Sequence, residues 1–154
     1  MPENALMMRP ARAADLPAIV AMLADDPLGA TREELCDPLP GVYHAAFAAI
    51  ADDPNQVLLV AVREGAVVGT LQLSVLPGLA RRGAWRGQIE AVRVATSARG
   101  AGVGRAMFHW AIDECRRRGC ALVQLTSDTA RPDAHRFYET LGFAASHVGF
   151  KLAL

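Results

Sequence analysis

The chain of 154 residues has no excess of charge of either sign, because sixteen basic side chains balance sixteen acidic ones. A nucleic-acid-binding domain is usually basic overall, so the balance argues against that class. No apolar run approaches the roughly 18 residues that a membrane span requires. The opening segment MPENALMMRPAR also lacks the apolar core of a signal peptide. We therefore expect a cytoplasmic protein with neither a nucleic-acid nor a membrane partner.

Cysteine and histidine are scarce as well. Cys36, Cys115 and Cys120 are an odd number of thiols without a C-x-x-C pair, and the four histidines show no ligand spacing. This predicts reduced thiols, no metal, and no cysteine placed to carry an acyl group. Hydrophobic residues make up 52% of the chain, which argues against disorder. We expect one domain over residues 1–154, large enough to bury roughly two thirds of its unfolded surface.

One stretch, residues 89–118, combines three local patterns. A β-branched run ends at Val94, a glycine-rich turn follows over residues 99–104, and an amphipathic segment runs from Val103 to Arg118. Strand, glycine turn and helix start form a geometry that holds phosphate, because the first amides of a helix have no partner inside it and the helix dipole is positive there. The stretch therefore predicts an anion site, and the alternative is a helix entered through a flexible turn.

Two familiar phosphate motifs do not fit this stretch. A P-loop requires G-x-x-x-x-G-K-[ST], but Gly104 is followed by Arg105 and Ala106. A dinucleotide fingerprint requires G-x-G-x-x-G, and neither Gly100 nor Gly102 as the first glycine places a glycine at the third position. The turn therefore predicts a phosphate site of another kind.

The run R-G-A-G-V-G instead resembles the R/Q-x-x-G-x-G/A pyrophosphate loop of the GCN5-related N-acetyltransferases, with Arg99, Gly102 and Gly104 at the defining positions. The preceding IEAVRV is similar to the fourth strand of that family. Further along, DAHRFYETLGF resembles the second signature of the family, A-x-x-x-Y-E-x-x-G-F. The matching residues there are Ala134, Tyr138, Glu139, Gly142 and Phe143.

The resemblance implies direct transfer of an acetyl group from acetyl-coenzyme A to a small-molecule or protein amine. It implies that the coenzyme arm pairs with the backbone at Val92 and Val94, which also offers an amide to the acetyl oxygen. The backbone of the turn would hold the diphosphate. The residues assigned to that task are Arg99, Gly100, Ala101, Gly102, Val103, Gly104 and Arg105. A homodimer is possible, because dimers are frequent in the family.

Two side chains are candidates for proton transfer. By resemblance, Tyr138 protonates the departing thiolate; the alternative is a core tyrosine with a satisfied hydroxyl. Glu90 lies in an apolar run, where desolvation would raise its proton affinity and suit a general base. The alternative is a surface glutamate paired with Arg93 or a loop arginine. One departure from the family is Arg131, which stands where many relatives have an asparagine that contacts the coenzyme arm.

Other functions remain open at this point. A non-catalytic acyl-coenzyme A sensor would keep the glycine turn and lack a usable acceptor cleft. An anion-binding interaction protein would bind no cosubstrate at all. The loop before residue 88 carries Trp85, which is either an anchor for a solvated loop or part of the lip of an acceptor site.

Periodicity predicts an α/β protein with a mixed sheet of six to seven strands and about four helices, as in the acyl-coenzyme A N-acyltransferase (GNAT) fold. An early hairpin predicts antiparallel pairing, and alternation of strands and helices after residue 88 predicts parallel pairing. Ala121–Thr126 is predicted as a buried strand and His147–Leu152 as a final strand. The predicted strands lie at 5–9, 56–62, 66–76, 88–94, 121–126 and 147–152, and the helices begin near Asp15, Val42, Val103 and Pro132.

Overall fold

The computed structural model describes residues 5–154, which form one mixed five-stranded sheet with helices on both faces. The strands lie in the sheet in chain order, and every neighbouring pair is antiparallel except the last, which is parallel. Their bounds are β1 (Met7–Pro10), β2 (Gln56–Arg63), β3 (Ala66–Leu76), β4 (Arg86–Val94) and β5 (Leu122–Leu125). The mixed sheet and the early hairpin of β2 and β3 confirm the sequence prediction.

The helices are α1 (Leu16–Ala24), α2 (Gly41–Asp52), α3 (Ala80–Gly83), α4 (Val103–Arg117) and α5 (Pro132–Thr140). The four longer helices begin within a residue of the predicted starts. The structure also contains one short helix that the sequence did not predict. This is α3, a single turn in which Arg81 and Arg82 have left-handed backbone angles. None of the described helices is long and apolar enough to cross a lipid bilayer.

The sheet separates two apolar layers, because successive strand residues point to opposite faces. On one face, Met107, Phe108 and Ala111 of α4 pack against buried residues of β2, β3 and β4. On the other face, Ile19 of α1 packs against Val60 and Val62 of β2. The long helix after the glycine turn is therefore fixed by burial of its apolar side.

The prediction of six to seven strands was wrong, because the final strand at His147–Leu152 does not form. These residues belong to neither helix nor strand and are exposed. Their apolar residues alternate as in a strand, but a strand also needs a hydrogen-bonding neighbour, and within the described residues the sheet ends at β5. The predicted buried strand over Ala121–Thr126 is shorter and only half-buried, because β5 is an edge strand.

The two parallel strands separate halfway along β4. Their pairing ends where Ile89 lies beside Leu125, while β4 continues to Val94. At the point of separation, Ala91 has a φ of 52°, and the pairing of β4 with β3 shifts register there. The edge of β4 from residue 90 to residue 94 is consequently unpaired on the β5 side, and a short 3-10 helix at Thr96–Ala98 separates it from the glycine turn.

Candidate functional site

The glycine turn has the backbone conformation that its sequence requires. Gly100 has a φ of 78° and Gly102 a φ of 76°, values that L side chains rarely adopt, and a Cβ at either position would meet no other group within 4 Å. Gly104 differs, because a Cβ there would lie 3.6 Å from Phe137 and 3.7 Å from Val94, which is ordinary contact. The first two glycines therefore shape the turn and border open space.

The amides at the start of α4 are available to an anion. The first hydrogen bond of the helix runs from the amide of Ala106 to the carbonyl of Gly102, at 3.0 Å. The amides of Val103, Gly104 and Arg105 precede it and, as at any helix start, have no carbonyl one turn back. These amides and the helix dipole make a positive concave turn at the end of β4.

The two arginines of the turn have different surroundings. Arg105 donates from Nη2 to the Thr140 hydroxyl at 2.9 Å, and its guanidinium carbon lies 6.0 Å from the Phe137 ring centre. It therefore ties the start of α4 to α5. Arg99 is exposed and donates from Nε to the carbonyl of Val94 at 3.3 Å. Both cations flank the turn.

The open edge of β4 precedes this turn and is separated from it by one turn of 3-10 helix at Thr96–Ala98. The side chains of Val92 and Val94 pack against the main core, so the strand itself is firmly held. Its backbone is paired with β3 on one side only from residue 90 onward. An extended ligand that resembles a peptide can add to such an edge.

Glu90 lies at the start of the open edge, in register with Gln72 of β3. Its side chain is exposed, whereas its apolar neighbours in the sequence predicted desolvation. The strand turns Ile89 toward the core and Glu90 away from it, and Ala91 is exposed as well. Glu90 forms no ion pair with any residue in the described part of the chain. Arg93 instead pairs with Asp26 at 3.4 Å and donates to the carbonyl of Val92 at 2.8 Å.

Tyr138 lies in an aromatic cluster on α5. Its ring centre is 5.5 Å from that of Phe108 and 6.4 Å from that of Phe143. Burial raises the pKa of the Tyr138 hydroxyl above its ordinary value, although the nearby cations Arg131 and Arg93 oppose the shift. Within residues 5–154 the hydroxyl makes no hydrogen bond, so a protonated phenol is free to act on a ligand.

The sequence predicted no role for Asp26, yet its side chain connects the segment after α1 with β4 and with the start of α5. Its Oδ2 accepts hydrogen bonds from Arg131 at 2.6 Å and from the Gly29 amide at 3.0 Å, in addition to the ion pair with Arg93. Burial opposes the negative charge, but these donors together hold the pKa of Asp26 below its ordinary value. Arg131, the departure from the family pattern, thus reaches a carboxylate after α1.

An apolar cavity lies on the sheet face opposite α4. Its wall includes Leu16, Ile19, Tyr43, Phe47, Thr70 and Ala91, contributed by α1, α2 and the sheet. Ala91 is next to Glu90, so the cavity reaches the point where β4 and β5 separate. Trp85 lies at the start of β4, at the far end of the strand from the glycine turn, and the structure does not bring it to this cluster.

Known proteins match the chain at the level of both sequence and structure. The sequence model of the acetyltransferase (GNAT) family matches residues 21–143. An aminoalkylphosphonate N-acetyltransferase from Salmonella typhimurium is 37% identical over 112 residues, which is 73% of this chain and 72% of the relative. A glucosamine 6-phosphate N-acetyltransferase from Trypanosoma brucei brucei is 36% identical over 120 residues, 76% of this chain and 79% of the relative.

A solved structure is also similar over nearly the whole length. The crystal structure of a transcriptional regulator from Bacillus halodurans C-125 superposes with a TM-score of 0.95 and 47% sequence identity. The match covers 97% of this chain and 100% of that one.

Proposed function

Because the chain belongs to the acetyltransferase (GNAT) family, we propose that it transfers the acetyl group of acetyl-coenzyme A directly to the primary amine of a small acceptor that carries a phosphonate or phosphate group. The observation that carries the proposal is an open strand edge followed, after one short 3-10 turn, by a positive glycine turn. A long thioester that carries a diphosphate would pair its arm with the strand edge and place its diphosphate at the turn.

The residues present fit acetyl-coenzyme A. The amides of Val103, Gly104 and Arg105 would bind the diphosphate, and the space bordered by Gly100 and Gly102 leaves room for it. The backbone at Val92 and Val94, which has no strand beside it on the β5 side, would hold the peptide-like arm. There the arm would compete with the side chains of Arg93 and Arg99, which donate to the two carbonyls. When bound, acetyl-coenzyme A supplies the activated acyl carbon.

Two different side chains would then carry out the two proton transfers, one from the acceptor amine and one to the departing sulfur. An alkylammonium with a pKa near ~10 must lose a proton before it can attack. Glu90 is exposed, so it accepts that proton through water rather than in a dry pocket. A backbone amide beside Val92 donates to the acetyl oxygen as charge develops there. Tyr138 donates its phenolic proton to the departing sulfur.

The acceptor class rests on two supports. Both curated relatives are named for amines that carry a phosphorus oxyanion. In this chain, Arg93 and Arg131 converge on the carboxylate of Asp26, at 3.4 Å and 2.6 Å, and the buried Nε of Arg93 has no partner within the described residues. A phosphonate or phosphate near these guanidinium groups would gain charge-assisted hydrogen bonds.

A matched amine panel, read by release of free thiol, tests this proposal. An aminoalkylphosphonate is compared with the alkylamine of the same length, and glucosamine 6-phosphate with glucosamine. We expect kcat/KM to be at least about a hundredfold higher for the oxyanion member of the preferred pair, as two charge-assisted hydrogen bonds would give. The variant Arg93→Gln should shrink that ratio. Equal rates within both pairs would contradict the acceptor class while leaving acetyl transfer intact.

A second candidate is a non-catalytic sensor of acyl-coenzyme A, favoured by the name of the Bacillus halodurans neighbour. A sensor would bind acetyl-coenzyme A in calorimetry but release no thiol with any amine of the panel. Binding together with thiol release would leave only the enzyme.

A further inference from the structure

Helix α2 covers the apolar cavity without filling it. Tyr43, Phe47 and Ile50 lie along one face of α2 at helical spacing and form part of the cavity wall. None of the 12 residues of α2, all of which the structure describes, is buried. In contrast, Ile19 and Val20 of α1 line the same cavity and are buried in the core. A cavity of about 120 Å³ is left between the two helices and the sheet.

The polar side chains of the cavity wall are already hydrogen-bonded within the described chain. The Thr70 hydroxyl donates to a backbone carbonyl of β2 at 2.9 Å, and the Gln72 amide donates to the side chain of Gln56 at 3.2 Å. The Tyr43 hydroxyl donates to Glu33 at 2.8 Å. The remaining wall residues are apolar. The wall therefore offers an apolar surface, and the group that it fits is apolar.

The volume of the cavity limits the group that fits. A cavity of about 150 Å³ lined by aliphatic and aromatic side chains stays dry and binds benzene. The cavity beneath α2 is slightly smaller and lined in the same way. The group that fits is therefore a branched alkyl chain of about four carbons or a single aromatic ring.

The cavity adjoins the reacting groups. Ala91 lies in its wall, is exposed, and directly follows Glu90. Leu23, also in the wall, is three residues before Asp26, and Ala91 is two residues before Arg93. The cavity is thus next to both the candidate base and the guanidinium groups assigned to the oxyanion. One acceptor can place its amine, its oxyanion and an apolar group at three neighbouring sites.

We propose that the cavity binds an apolar side chain of the acceptor, so that the preferred acceptors are amines with a branched alkyl or aryl substituent next to the amine. This inference rests on the proposed function, because it assigns a further group of the same acceptor. A 1-aminoalkylphosphonate has this arrangement, since one carbon carries the amine, the phosphonate and the side chain. A cavity that only reflects loose packing of α2 would make the acceptor side chain irrelevant to the rate.

Two series of amines, read by release of free thiol, test the proposal. One series contains 1-aminoalkylphosphonates whose side chain is hydrogen, methyl, isobutyl or benzyl, and the other contains the same amines with hydrogen in place of the phosphonate. We expect kcat/KM to rise along each series, by about fiftyfold from methyl to isobutyl, as burial of three more carbons gives.

The two series separate this inference from the proposed function. Equal kcat/KM along each series would overturn the apolar site, whichever series is the faster. A rise along both series with no difference between them would support the apolar site and contradict the oxyanion of the acceptor. Thiol release from no member of either series would overturn both.

Variants on two faces of α2 locate the effect. Ala46 lines the cavity, whereas Ala45 is exposed and lies outside it. Leucine is a good helix former, so either position should accept it without loss of α2. Ala46→Leu occupies part of the cavity and should lower the isobutyl-to-methyl ratio of kcat/KM by about tenfold or more. Ala45→Leu is the matched control and should keep the wild-type ratio. The same ratio in both variants would contradict the proposal.

Discussion

The hydroxyl of Tyr138 is held among aromatic rings and keeps its proton, because burial raises its pKa and no described residue takes up its hydrogen bond. Since a proton donor must be protonated at the working pH, this environment suits release of a thiolate. The other tyrosine, Tyr43, is bound on both sides of its oxygen, donating to Glu33 at 2.8 Å and accepting from the Glu34 amide at 2.9 Å.

Tyr138→Phe should lower kcat by about 10²–10³-fold, because general acid catalysis contributes about that much. The dissociation constant of acetyl-coenzyme A should stay within about twofold, since the ring remains in its aromatic cluster. Tyr43→Phe removes a tyrosine hydroxyl that is bound to Glu33 and to the Glu34 amide, and it should lower kcat by much less than Tyr138→Phe does. An unaltered kcat in Tyr138→Phe would end the assignment of this residue as the acid.

Glu90→Gln probes the base and is read from the pH–rate profile. We expect kcat/KM to fall about ten- to a hundredfold at neutral pH. It should recover as the pH approaches the pKa of the acceptor ammonium, because the neutral amine then attacks without a base. Glu64→Gln, in the turn between β2 and β3, is an exposed control. If the Glu90→Gln profile matches wild type in height and shape, water alone relays the proton.

The glycine turn acts at the scale of an element, because it joins a strand to a helix and sets the direction of the helix amides. Gly102 is the residue before α4 and has a left-handed φ of 76°. Gly65, in the turn between β2 and β3, has nearly the same conformation, with a φ of 78°. A Cβ at either position meets nothing within 4 Å. The two glycines therefore differ mainly in that the diphosphate is proposed to bind beside Gly102 and not beside Gly65.

Gly102→Ala and Gly65→Ala should therefore lose similar stability, about 1–2 kcal/mol for the left-handed backbone. Only Gly102→Ala should also weaken acetyl-coenzyme A, by at least about tenfold, because the added methyl group occupies space assigned to the diphosphate. Isothermal calorimetry and thermal melting separate the two effects. Equal affinities in both variants would place the diphosphate away from this turn.

At the scale of the whole molecule, the sheet, α4 and α5 must all be folded for the turn, the β4 edge and Tyr138 to be in place together. A ligand that binds only this assembly stabilises it. Acetyl-coenzyme A at about a hundred times its dissociation constant would add about 2.7 kcal/mol to the free energy of unfolding. The melting temperature should then rise by about 5–10 °C for a chain of this length.

Pantetheine, which has no diphosphate, is the control ligand for the melting experiment. At the same concentration it should raise the melting temperature much less, because it pairs with the strand edge but leaves the amides of α4 without an anion. Equal shifts with both ligands would mean that the glycine turn contributes little to binding. No shift with acetyl-coenzyme A would contradict the proposed cosubstrate.

Elements that depend on neighbours along the chain follow from the amino-acid sequence alone. Hydrophobic periodicity located the β2–β3 hairpin and the four longer helices, and glycine spacing located the turn at Gly100 and Gly102. These features follow from local backbone preference and from which face of a segment is apolar, both of which can be read within a few residues.

Features that depend on distant partners follow from the tertiary structure. It exposed Glu90, because the pleat of β4 turns that side chain to solvent while Ile89 faces the core. It placed Asp26 beside Arg131, and no spacing in the sequence predicts that contact. It also left residues 147–152 outside the sheet despite their strand pattern, because a strand forms only where a neighbour supplies hydrogen bonds, and no local pattern specifies that neighbour.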